Sequence, residues 1–519
     1  MSYAFTKRDL VQLDQRGISR DRATSYLETF ARGLPYSVLD RACTVGDGIT
    51  VVHPTELDRY VGLSEEAARS GRLSKFVPAS GAATRMFQSL LVVQASAPKP
   101  GAGLEELKDT PEYTSLKEFL ADIRRFAFFP ELRARMKAEG LDVATLADGG
   151  IYPEILSCLL TGQGLDYGGL PKALIKFHRY GDCGRTAMEE HLVEAGAYVT
   201  DRTGKSRVHF TVAEEHLEVA ARHLAKVRAD YEDGDLRYDV TFSVQKPSTD
   251  TLAADMTNDP FREQDGAMFF RPGGHGALLE NLDDLEGDIV LVKNIDNVQP
   301  DHLKRPTILY KKILSGLLVE LQSQLFDYVR RLENERPNEV LLDDAMHFAL
   351  TRLSLIPDAS DPAMNAAEKA CFLRQQMNRP LRVCGMVRSS GEPGGGPFWV
   401  RAADGSVSLQ IVEASEVDGR QTSQEEIFRS ATYFNPVDLV CGVRDATGKP
   451  FDLSKYSDPE RGFISIKSRR GQPLQALEHP GLWNGGMAHW NTVFVEVPEA
   501  TFSPVKTVLD LLRGEHSSE

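Results

Sequence analysis

The sequence lacks the features that would place a protein in or across a membrane. No stretch approaches the roughly 18 to 20 apolar residues that a membrane helix requires. Residues 1–17, MSYAFTKRDLVQLDQRG, contain no apolar core of the kind that a signal peptide carries. We therefore expect a cytoplasmic protein without a membrane partner.

The sequence is also short of positive charge. Lys and Arg number 60 against 75 Asp and Glu, which gives a net charge of −15. Broad binding to nucleic acid or to an anionic membrane needs a basic face, so neither partner is expected. If the ligand is a phosphate, the cations that bind it must be few and local.

Cysteine occurs at ordinary frequency and without a metal-binding pattern. The six cysteines include no CxxC pair, and they predict buried free thiols in a reducing compartment rather than a disulfide framework or a zinc site. They are Cys43, Cys158, Cys183, Cys371, Cys384 and Cys441.

A chain of 519 residues, 41% hydrophobic and 26% charged, is typical of a globular protein with more than one domain or with large insertions. Strand and helix patterns alternate from Pro171 onward, which favours an α/β fold with a doubly wound, mostly parallel sheet. The expected parts are a helical N-terminal extension (1–70), a core (71–305) with a helical insertion (96–165), a second helical insertion (306–378) and a β-rich C-terminal part (379–519) that completes the active site.

The segment Arg271–Asp301 carries the strongest functional signal. Its centre, DIVLVKNIDN, is a short apolar run that ends in polar residues, as expected for a strand buried on both faces. Ligands of α/β sheets gather at the carboxyl ends of such strands, so Asp296 is a candidate metal ligand beside a polyphosphate. Upstream, Pro272–Gly276 offers an open backbone and one imidazole, His275. The alternative is that Asp296 is a turn residue and the glycines only close a loop.

A second candidate anion site follows the first predicted strand. In the loop PASGAATRM, small residues let backbone N–H groups face an anion, and Arg85 stands where it can pair with a phosphate. The loop has neither the Walker A spacing nor G-x-G-x-x-G. A purely packing role for these small residues is the alternative.

Two lysines follow prolines and suit phosphate binding. Lys172 lies in GLPKALIK, and Lys506 lies in FSPVK at a predicted helix start, where a cation opposes the helix dipole unless an anion lies between them. The alternative is that each is an ordinary surface lysine, which is the simpler interpretation of Lys172 alone.

Polar residues at strand ends in the C-terminal part are candidates for binding hydroxyl groups. Glu413 and Asn435 follow β-like segments, although exposed strand ends explain them as well. Trp483 and Trp490 either shape a pocket or pack in the core, and packing is the simpler interpretation.

These motifs, in this order, resemble the UDP-sugar pyrophosphorylase branch of the sugar nucleotidyltransferases. The chain as a whole also resembles an uncharacterised bacterial family of about this length. The matching segments are SGAATRM (80–86), Pro171-Lys172, PGGHG (272–276), NIDN (294–297), LQALE (474–478) and FSPVKTVLDLL (502–512). The sequence departs from the family pattern at Ser80, Ala83, Ala277 and Pro436.

The resemblance implies a GT-A-like fold and a role for each matching residue. Asp296 would ligate Mg²⁺, and Lys506 would act where some relatives use a second cation. The implied phosphate-binding residues are Arg85, Lys172 and Arg388. The implied nucleotide-binding residues are Ser80, Gly81, Ala82, Gln245, Gly274 and His275. Glu413 and Asn435 would contact the sugar.

The expected function is therefore that of a Mg²⁺-dependent nucleotidyltransferase. It would join a nucleoside triphosphate, with UTP as a candidate, to a sugar 1-phosphate or a similar phosphorylated substrate and release pyrophosphate. A glycosyltransferase that uses a nucleotide sugar and a non-catalytic nucleotide-binding protein are the alternatives.

Overall fold

The computed structural model of the protein describes residues 4–334, 338–357, 364–389, 391 and 394–517. The N-terminal elements are α1 (Lys7–Arg16), α2 (Arg20–Arg32), β1 (Val38–Ala42), β2 (Thr44–Val45), β3 (Gly48–Thr50) and α3 (Leu57–Arg69). Thr6 and Ser19 cap α1 and α2, because each side chain accepts a backbone hydrogen bond from the first helical turn. The segment predicted to be helical (1–70) contains α1–α3 but also the strands β1–β3, where β-branched residues favour strands.

The next part of the chain alternates between strands and helices. Its elements up to the helical segment are β4 (Leu73–Pro78), α4 (Gln88–Ala95), α5 (Glu112–Ala121), α6 (Phe129–Ala138), α7 (Val143–Asp148) and α8 (Pro153–Leu160). They continue with β5 (Lys176–Tyr180), β6 (Cys183–Thr186), α9 (Ala187–Tyr198), β7 (Lys205–Val212), α10 (Leu217–Val227) and β8 (Arg237–Val244). The last are β9 (Thr251–Leu252), β10 (Phe270–Arg271), α11 (Leu279–Asp283) and β11 (Ile289–Lys293).

Three helices and a β-rich part complete the chain. The helices are α12 (Lys304–Asn334), α13 (Glu339–Arg352) and α14 (Ala366–Met377). The remaining elements are β12 (Leu381–Arg388), β13 (Gly396–Arg401), β14 (Val407–Val412), α15 (Thr422–Arg429), β15 (Tyr433–Phe434), β16 (Asp438–Gly442), β17 (Phe463–Arg469), β18 (Gln472–Glu478) and β19 (Asn491–Glu496).

One large sheet draws its strands from the N-terminal, central and C-terminal parts of the chain. The order is β2-β3-β19-β12-β16-β11-β4-β7-β8, and β15 pairs with β12 off this path. Strand β16 is antiparallel to both of its neighbours on the path, and the other pairs along the path are parallel. The predicted mixed α/β fold with a large central sheet is confirmed. The carboxyl ends of β4, β11 and β12 therefore lie at the same edge, which is where a ligand site is expected.

Burial follows the sequence pattern in the middle of the sheet. Every residue of β11 is buried, as its continuous apolar run predicts. Helix α12 packs on β12 and β16 as well as on α3, so this helix belongs to the core around the sheet. The segment α5–α8 shares one hydrophobic cluster with β4, β7 and α12. The predicted domain boundaries remain predictions.

Two general expectations can be compared with the structure. Within the described residues, no helix is both long enough and apolar enough to span a bilayer. All six cysteines are free thiols; the expected burial holds for four of them but is wrong for Cys183 and Cys371, which are exposed.

Candidate functional site

Three residues that are distant in sequence meet at the carboxyl end of β11. The Oδ2 atom of Asp296 accepts a hydrogen bond from Nζ of Lys172 at 3.0 Å and another from Nζ of Lys506 at 3.0 Å. These are three of the residues that the sequence singles out. They form what we call the Asp296 cluster: Lys172, Asp296 and Lys506.

Backbone contacts explain why the C-terminal tail delivers Lys506 to this place. The N–H of Val505 donates to the carbonyl of Asp296 at 3.1 Å, and the N–H of Ser503 donates to Oδ1 of Asn297 at 3.0 Å. Lys172 adds a bond from its Nζ to the carbonyl of Val505 at 2.9 Å. The tail therefore lies along the segment that follows β11, which brings Lys506 within reach of Asp296.

The electrostatics of the cluster favour a charged carboxylate. Burial alone would raise the pKa of Asp296, but the charges of Lys172 and Lys506 outweigh burial and hold this pKa below its usual range. The side chains of Asp296 and Lys172 are 10% and 12% exposed, whereas that of Lys506 is 53% exposed. Lys506 is therefore the member that can turn most readily toward an incoming anion.

The loop after β4 lies directly beside Lys172. The N–H of Lys172 donates to the carbonyl of Gly81 at 3.0 Å, and the N–H of Ala83 donates to the carbonyl of Leu170 at 3.2 Å. The N–H groups of Ser80, Gly81 and Ala82 donate no hydrogen bond to any residue that the structure describes. A methyl group built at Gly81 would have no atom within 4 Å. These exposed donors fit the predicted anion-binding loop.

Arg85 ends the short 3-10 turn that follows this loop, and it is exposed. No ion pair of its guanidinium is found within the described part of the chain. The structure therefore leaves Arg85 near the loop but does not bring it onto Asp296.

A cavity of about 330 Å³ opens next to Lys506. Its walls include Asn294, Glu413, Phe434, Asn435, Trp483, Lys506 and Arg513. Both residues predicted to bind a sugar, Glu413 and Asn435, thus face the same cavity as one lysine of the Asp296 cluster. The volume is at the lower end of the range for small-molecule sites.

The polar groups of this cavity are arranged for hydrogen bonding. The buried Asn435 accepts at Oδ1 from the N–H of Val437 at 3.0 Å, while its Nδ2 has no hydrogen-bond partner among the described residues. Burial, reinforced by the charge of Glu416, raises the pKa of Glu413. Two residues that line the cavity are therefore notable: Asn435 has an unpaired amide nitrogen, and the raised pKa of Glu413 makes its carboxyl group easier to protonate than usual.

The glycine-rich segment Pro272–Gly276 is placed differently from the loop after β4. A methyl group built at Gly276 would lie 2.1 Å from the carbonyl oxygen of Pro480, and one at Gly274 would lie 2.7 Å from a carboxylate oxygen of Glu478. The glycines therefore allow this segment to pack closely on the chain at 478–480. The packing alternative accounts for them, and a base-binding role remains a prediction.

His275 is stacked on Trp483, with ring centroids 4.2 Å apart. Its Nδ1 accepts from the N–H of Leu482 at 3.1 Å, and burial lowers the pKa of this imidazole to about 4. It is therefore neutral near pH 7. Gln245 follows β8 directly and is half-buried.

Arg388 lies at the end of β12 rather than at the Asp296 cluster. Its side chain is largely exposed, and its Nε is 3.2 Å from a carboxylate oxygen of Glu496. The structure therefore gives Arg388 an acidic partner of its own, and its predicted phosphate-binding role is untested.

Three residues of the site were given no binding role from the sequence. Two of them, Asn294 and Trp483, line the cavity, although packing was the simpler interpretation for the tryptophan. Asp510 accepts from the N–H groups of Lys506 and Thr507 at 2.7 and 2.6 Å. The signal for Asp510 was the spacing Thr507-Val-Leu-Asp510, a capping-box pattern.

The helix predicted to start near Lys506 does not form as an α-helix. The segment is a five-residue 3-10 turn, Val508–Leu512, and the carboxylate of Asp510 caps it. The negative charge of Asp510 lies at the start of this turn. Lys506 therefore needs no bound anion to offset a helix dipole.

A larger cavity, of about 750 Å³, lies elsewhere and does not include the Asp296 cluster. Arginines supply much of its lining, but Arg124 and Arg125 already pair with Asp148 and Asp122. Its size alone does not make it the site of chemistry.

Asp296 can supply only some of the ligands that a divalent cation needs. Within the described residues, no group of three or more His, Cys, Asp or Glu side chains could hold a metal ion. Both lysines occupy Oδ2 of Asp296, and Oδ1 accepts no hydrogen bond from the described residues. One free carboxylate oxygen suits Mg²⁺ when phosphate oxygens and water supply the other ligands.

Comparison with solved structures finds UDP-glucose pyrophosphorylases. A mutant of the enzyme from Leishmania major in complex with UDP-glucose has 13% sequence identity and a TM-score of 0.45, over 98% of this chain and 78% of that one. A structure named UDP-glucose phosphorylase from Trypanosoma brucei has 11% identity and a TM-score of 0.43, over 97% and 77%. Similarity at this level does not by itself assign a fold or an activity to this chain.

Comparison with curated proteins finds no match. The sequence model of one family matches residues 6–517, which confirms the expected membership in an uncharacterised family. The chain belongs to the family described as a domain of unknown function, DUF4301.

Proposed function

We propose that this protein is a Mg²⁺-dependent nucleotidyltransferase with a doubly wound, GT-A-like sheet. It joins a nucleoside triphosphate, with UTP as the first candidate, to a sugar 1-phosphate or a similar phosphorylated substrate and releases pyrophosphate. One observation carries the proposal: Lys172 and Lys506, 334 residues apart in the numbering, both bond to Asp296 beside a cavity lined by Glu413 and Asn435.

The proposed reaction is an in-line displacement at the α-phosphorus. A phosphate oxygen of the sugar phosphate forms the new P–O bond, the bond to the bridging oxygen breaks, and pyrophosphate leaves with the electron pair. Such a reaction depends on positioning and on fixed charge more than on covalent groups. In this proposal Lys172, Lys506 and Arg85 would stabilise negative charge in the transition state.

The remaining candidate residues would orient the substrates. The free N–H groups of Ser80, Gly81 and Ala82 would hold phosphate oxygens of the nucleotide. Glu413 and Asn435 would bind hydroxyl groups in the cavity of about 330 Å³. Gln245, Gly274 and His275 would lie toward the base, and Arg388 would reach a phosphate only by leaving Glu496.

Asp296 would hold the Mg²⁺ ion through its free oxygen. When bound, the ion would neutralise charge on the triphosphate. The protein side of the site contributes a carboxylate that stays ionised well below neutral pH, because the pKa of Asp296 is lowered by its two lysines against the effect of burial.

A second candidate function is nucleotide binding without catalysis. The observation that favours it is that two lysines already neutralise Asp296, so the cluster carries a net positive charge. Such a cluster attracts a polyphosphate without a metal ion.

Binding and turnover measurements separate the two candidates. Calorimetry with each nucleoside triphosphate, with and without Mg²⁺, would be followed by a pyrophosphate-release screen over sugar 1-phosphates. For the nucleotidyltransferase we expect Mg²⁺-dependent binding, and turnover at least ~100-fold lower in Asp296→Ala, as for the loss of one electrostatic stabiliser. Asp288→Asn is the matched control, because Asp288 stands before the opposite end of β11 and pairs with Arg72 at 2.6 Å.

The outcomes are distinct. Metal-independent binding with no pyrophosphate release over the panel supports the binding protein. Absence of nucleotide binding under every condition contradicts both candidates.

A further inference from the structure

A separate cavity of about 290 Å³ lies in the helical segment that follows β4. It is bounded by the end of α4, the turn at 97–100 and α8. Gln94, Pro98, Leu141, Glu154, Ser157 and Cys158 contribute to its walls. The walls thus combine apolar surface with a few polar groups, as small-molecule sites do.

Two of the residues that line this cavity carry a buried, unpaired polar atom. Oε1 of Gln94 and Oε2 of Glu154 have no hydrogen-bond partner among the described residues. Both atoms are acceptors, so the missing partner must be a hydrogen-bond donor. Leaving two buried acceptors without donors is costly, and a ligand that supplies donors removes that cost.

Glu154, in the first turn of α8, also lacks a cationic side chain as a partner among the described residues. Its Oε1 accepts from the N–H of Gly101 at 2.8 Å, and no ion pair involves Glu154 in the part of the chain that the structure describes. Glu139, which also lines the cavity, lies 3.4 Å from a guanidinium nitrogen of Arg135. One of the two carboxylates is thus balanced and the other is not.

We propose that this cavity binds a small organic cation, a protonated primary amine with a short apolar body. The ammonium group offers three donors and one positive charge, which match the two free acceptors and the unpaired carboxylate. Pro98, Leu141 and Pro153 would contact the apolar body. The site does not depend on the nucleotidyltransferase proposal.

A metal ion is the weaker occupant. Among the described residues, no cluster of three or more His, Cys, Asp or Glu could hold one. The remaining sulfur ligand, Cys158, is buried, and burial raises the pKa of its thiol, so it stays protonated near pH 7. A hydrogen-bonding cation fits this set of atoms better than an ion that needs four to six ligands.

The test uses the full chain and n-butylammonium chloride as the probe. Titration calorimetry would compare it with n-butanol, with sodium butyrate, and with MgCl₂ or CaCl₂ alone. We expect binding of the ammonium ion only. In Glu154→Gln we expect affinity about tenfold weaker, because a charge-assisted hydrogen bond becomes a neutral one. Glu139→Gln, in the same cavity but already balanced by Arg135, is expected to match the unmodified protein.

Cys158 provides a second readout that needs no substitution. Butylammonium should slow alkylation of Cys158, measured by peptide mass spectrometry, while the exposed Cys183 and Cys371 react at unchanged rates. Equal binding of butanol, tighter binding of Mg²⁺ or Ca²⁺ than of the amine, full affinity in Glu154→Gln, or an unchanged alkylation rate at Cys158 overturns the proposal.

Discussion

Two carboxylates among the described residues are each bonded to two lysines, and the two clusters differ in how accessible they are to solvent. Glu194 of α9 accepts from Nζ of Lys75 at 3.0 Å and from Nζ of Lys293 at 2.8 Å. Asp296 accepts from Lys172 and Lys506 at 3.0 Å each. The side chains of the Glu194 cluster (Lys75, Glu194 and Lys293) are at most 1% exposed, whereas Lys506 of the Asp296 cluster is 53% exposed and borders a cavity.

The comparison shows that an arrangement of charges does not identify a functional site by itself. The Glu194 cluster is closed to solvent, and we call it the sealed cluster. No ligand can reach it, and its members depend on one another because each would otherwise be an uncompensated buried charge. The Asp296 cluster is accessible, and we call it the open cluster; there a ligand phosphate can replace the carboxylate as the partner of Lys506. Access separates a structural ion-pair network from a candidate site.

The largest effect is expected on stability in the sealed cluster. Glu194→Gln leaves Lys75 and Lys293 buried without a counter-charge, so the free energy of unfolding should fall by about 3–5 kcal/mol. Urea unfolding followed by circular dichroism measures this. Glu218→Gln is the control, because Glu218 is 86% exposed and its ion pair with Arg222 contributes little. If both variants lose the same small amount, the sealed cluster is not the structural element that we describe.

In the open cluster the large effect should be on activity. Lys506→Ala removes one cation from the proposed transition state, and turnover in the pyrophosphate-release assay should fall at least ~100-fold. The free energy of unfolding should change by less than about 1 kcal/mol, because the Lys506 side chain is half exposed. Lys455→Ala, at a position 74% exposed and paired with Asp452, should leave both quantities unchanged. Full turnover in Lys506→Ala would contradict the proposed catalytic role of the open cluster.

The sequence allowed the open cluster to be predicted but gave no sign of the sealed one. Asp296 follows an uninterrupted apolar strand, and Lys172 and Lys506 stand after prolines in recognisable motifs, so each could be named from local pattern. Glu194 belongs to the helix AMEEHLVEAGAY, where acidic residues four apart normally mark a solvent face. Its burial depends on the packing of α9 against β7 and α12, where Lys75 of β4 and Lys293 of β11 reach its carboxylate.

The same limit applies to the fold. The buried strand β11 and the alternation after Pro171 followed from hydrophobic pattern. Strand β3 was missed because it is three residues long and its partner β19 lies more than 440 positions away. The tight packing of Gly276 on Pro480 was likewise invisible, since a glycine that faces a ligand and one that faces a carbonyl look the same in sequence.

A third change tests access without altering any charge. Gly81→Ala places a methyl group beside the Asp296 cluster, where it meets no protein atom within 4 Å. Stability should therefore be unchanged or slightly higher, while nucleotide affinity by calorimetry should weaken by about tenfold if phosphates approach the backbone there. Gly62→Ala, in α3 and equally free of contacts, is the control. Unaltered affinity in Gly81→Ala would place the ligand away from the loop.

The last prediction is a pH dependence of the stability of the sealed cluster. Burial, reinforced by Lys293 and opposed by Glu194, lowers the pKa of Lys75 to about 7. Between about pH 7 and pH 10 the unfolded chain therefore binds more protons at Lys75 than the folded one does, so the free energy of unfolding should rise with pH in that window. The slope from one proton is at most about 1.4 kcal/mol per pH unit, and below pH 7 the contribution is constant. Urea unfolding of the unmodified protein and of Lys75→Met at several pH values measures the contribution of Lys75. Groups that titrate in both proteins cancel when one free energy of unfolding is subtracted from the other. A difference that does not vary with pH would mean that Lys75 keeps its proton inside the fold, and the sealed cluster would then carry two full positive charges around one carboxylate.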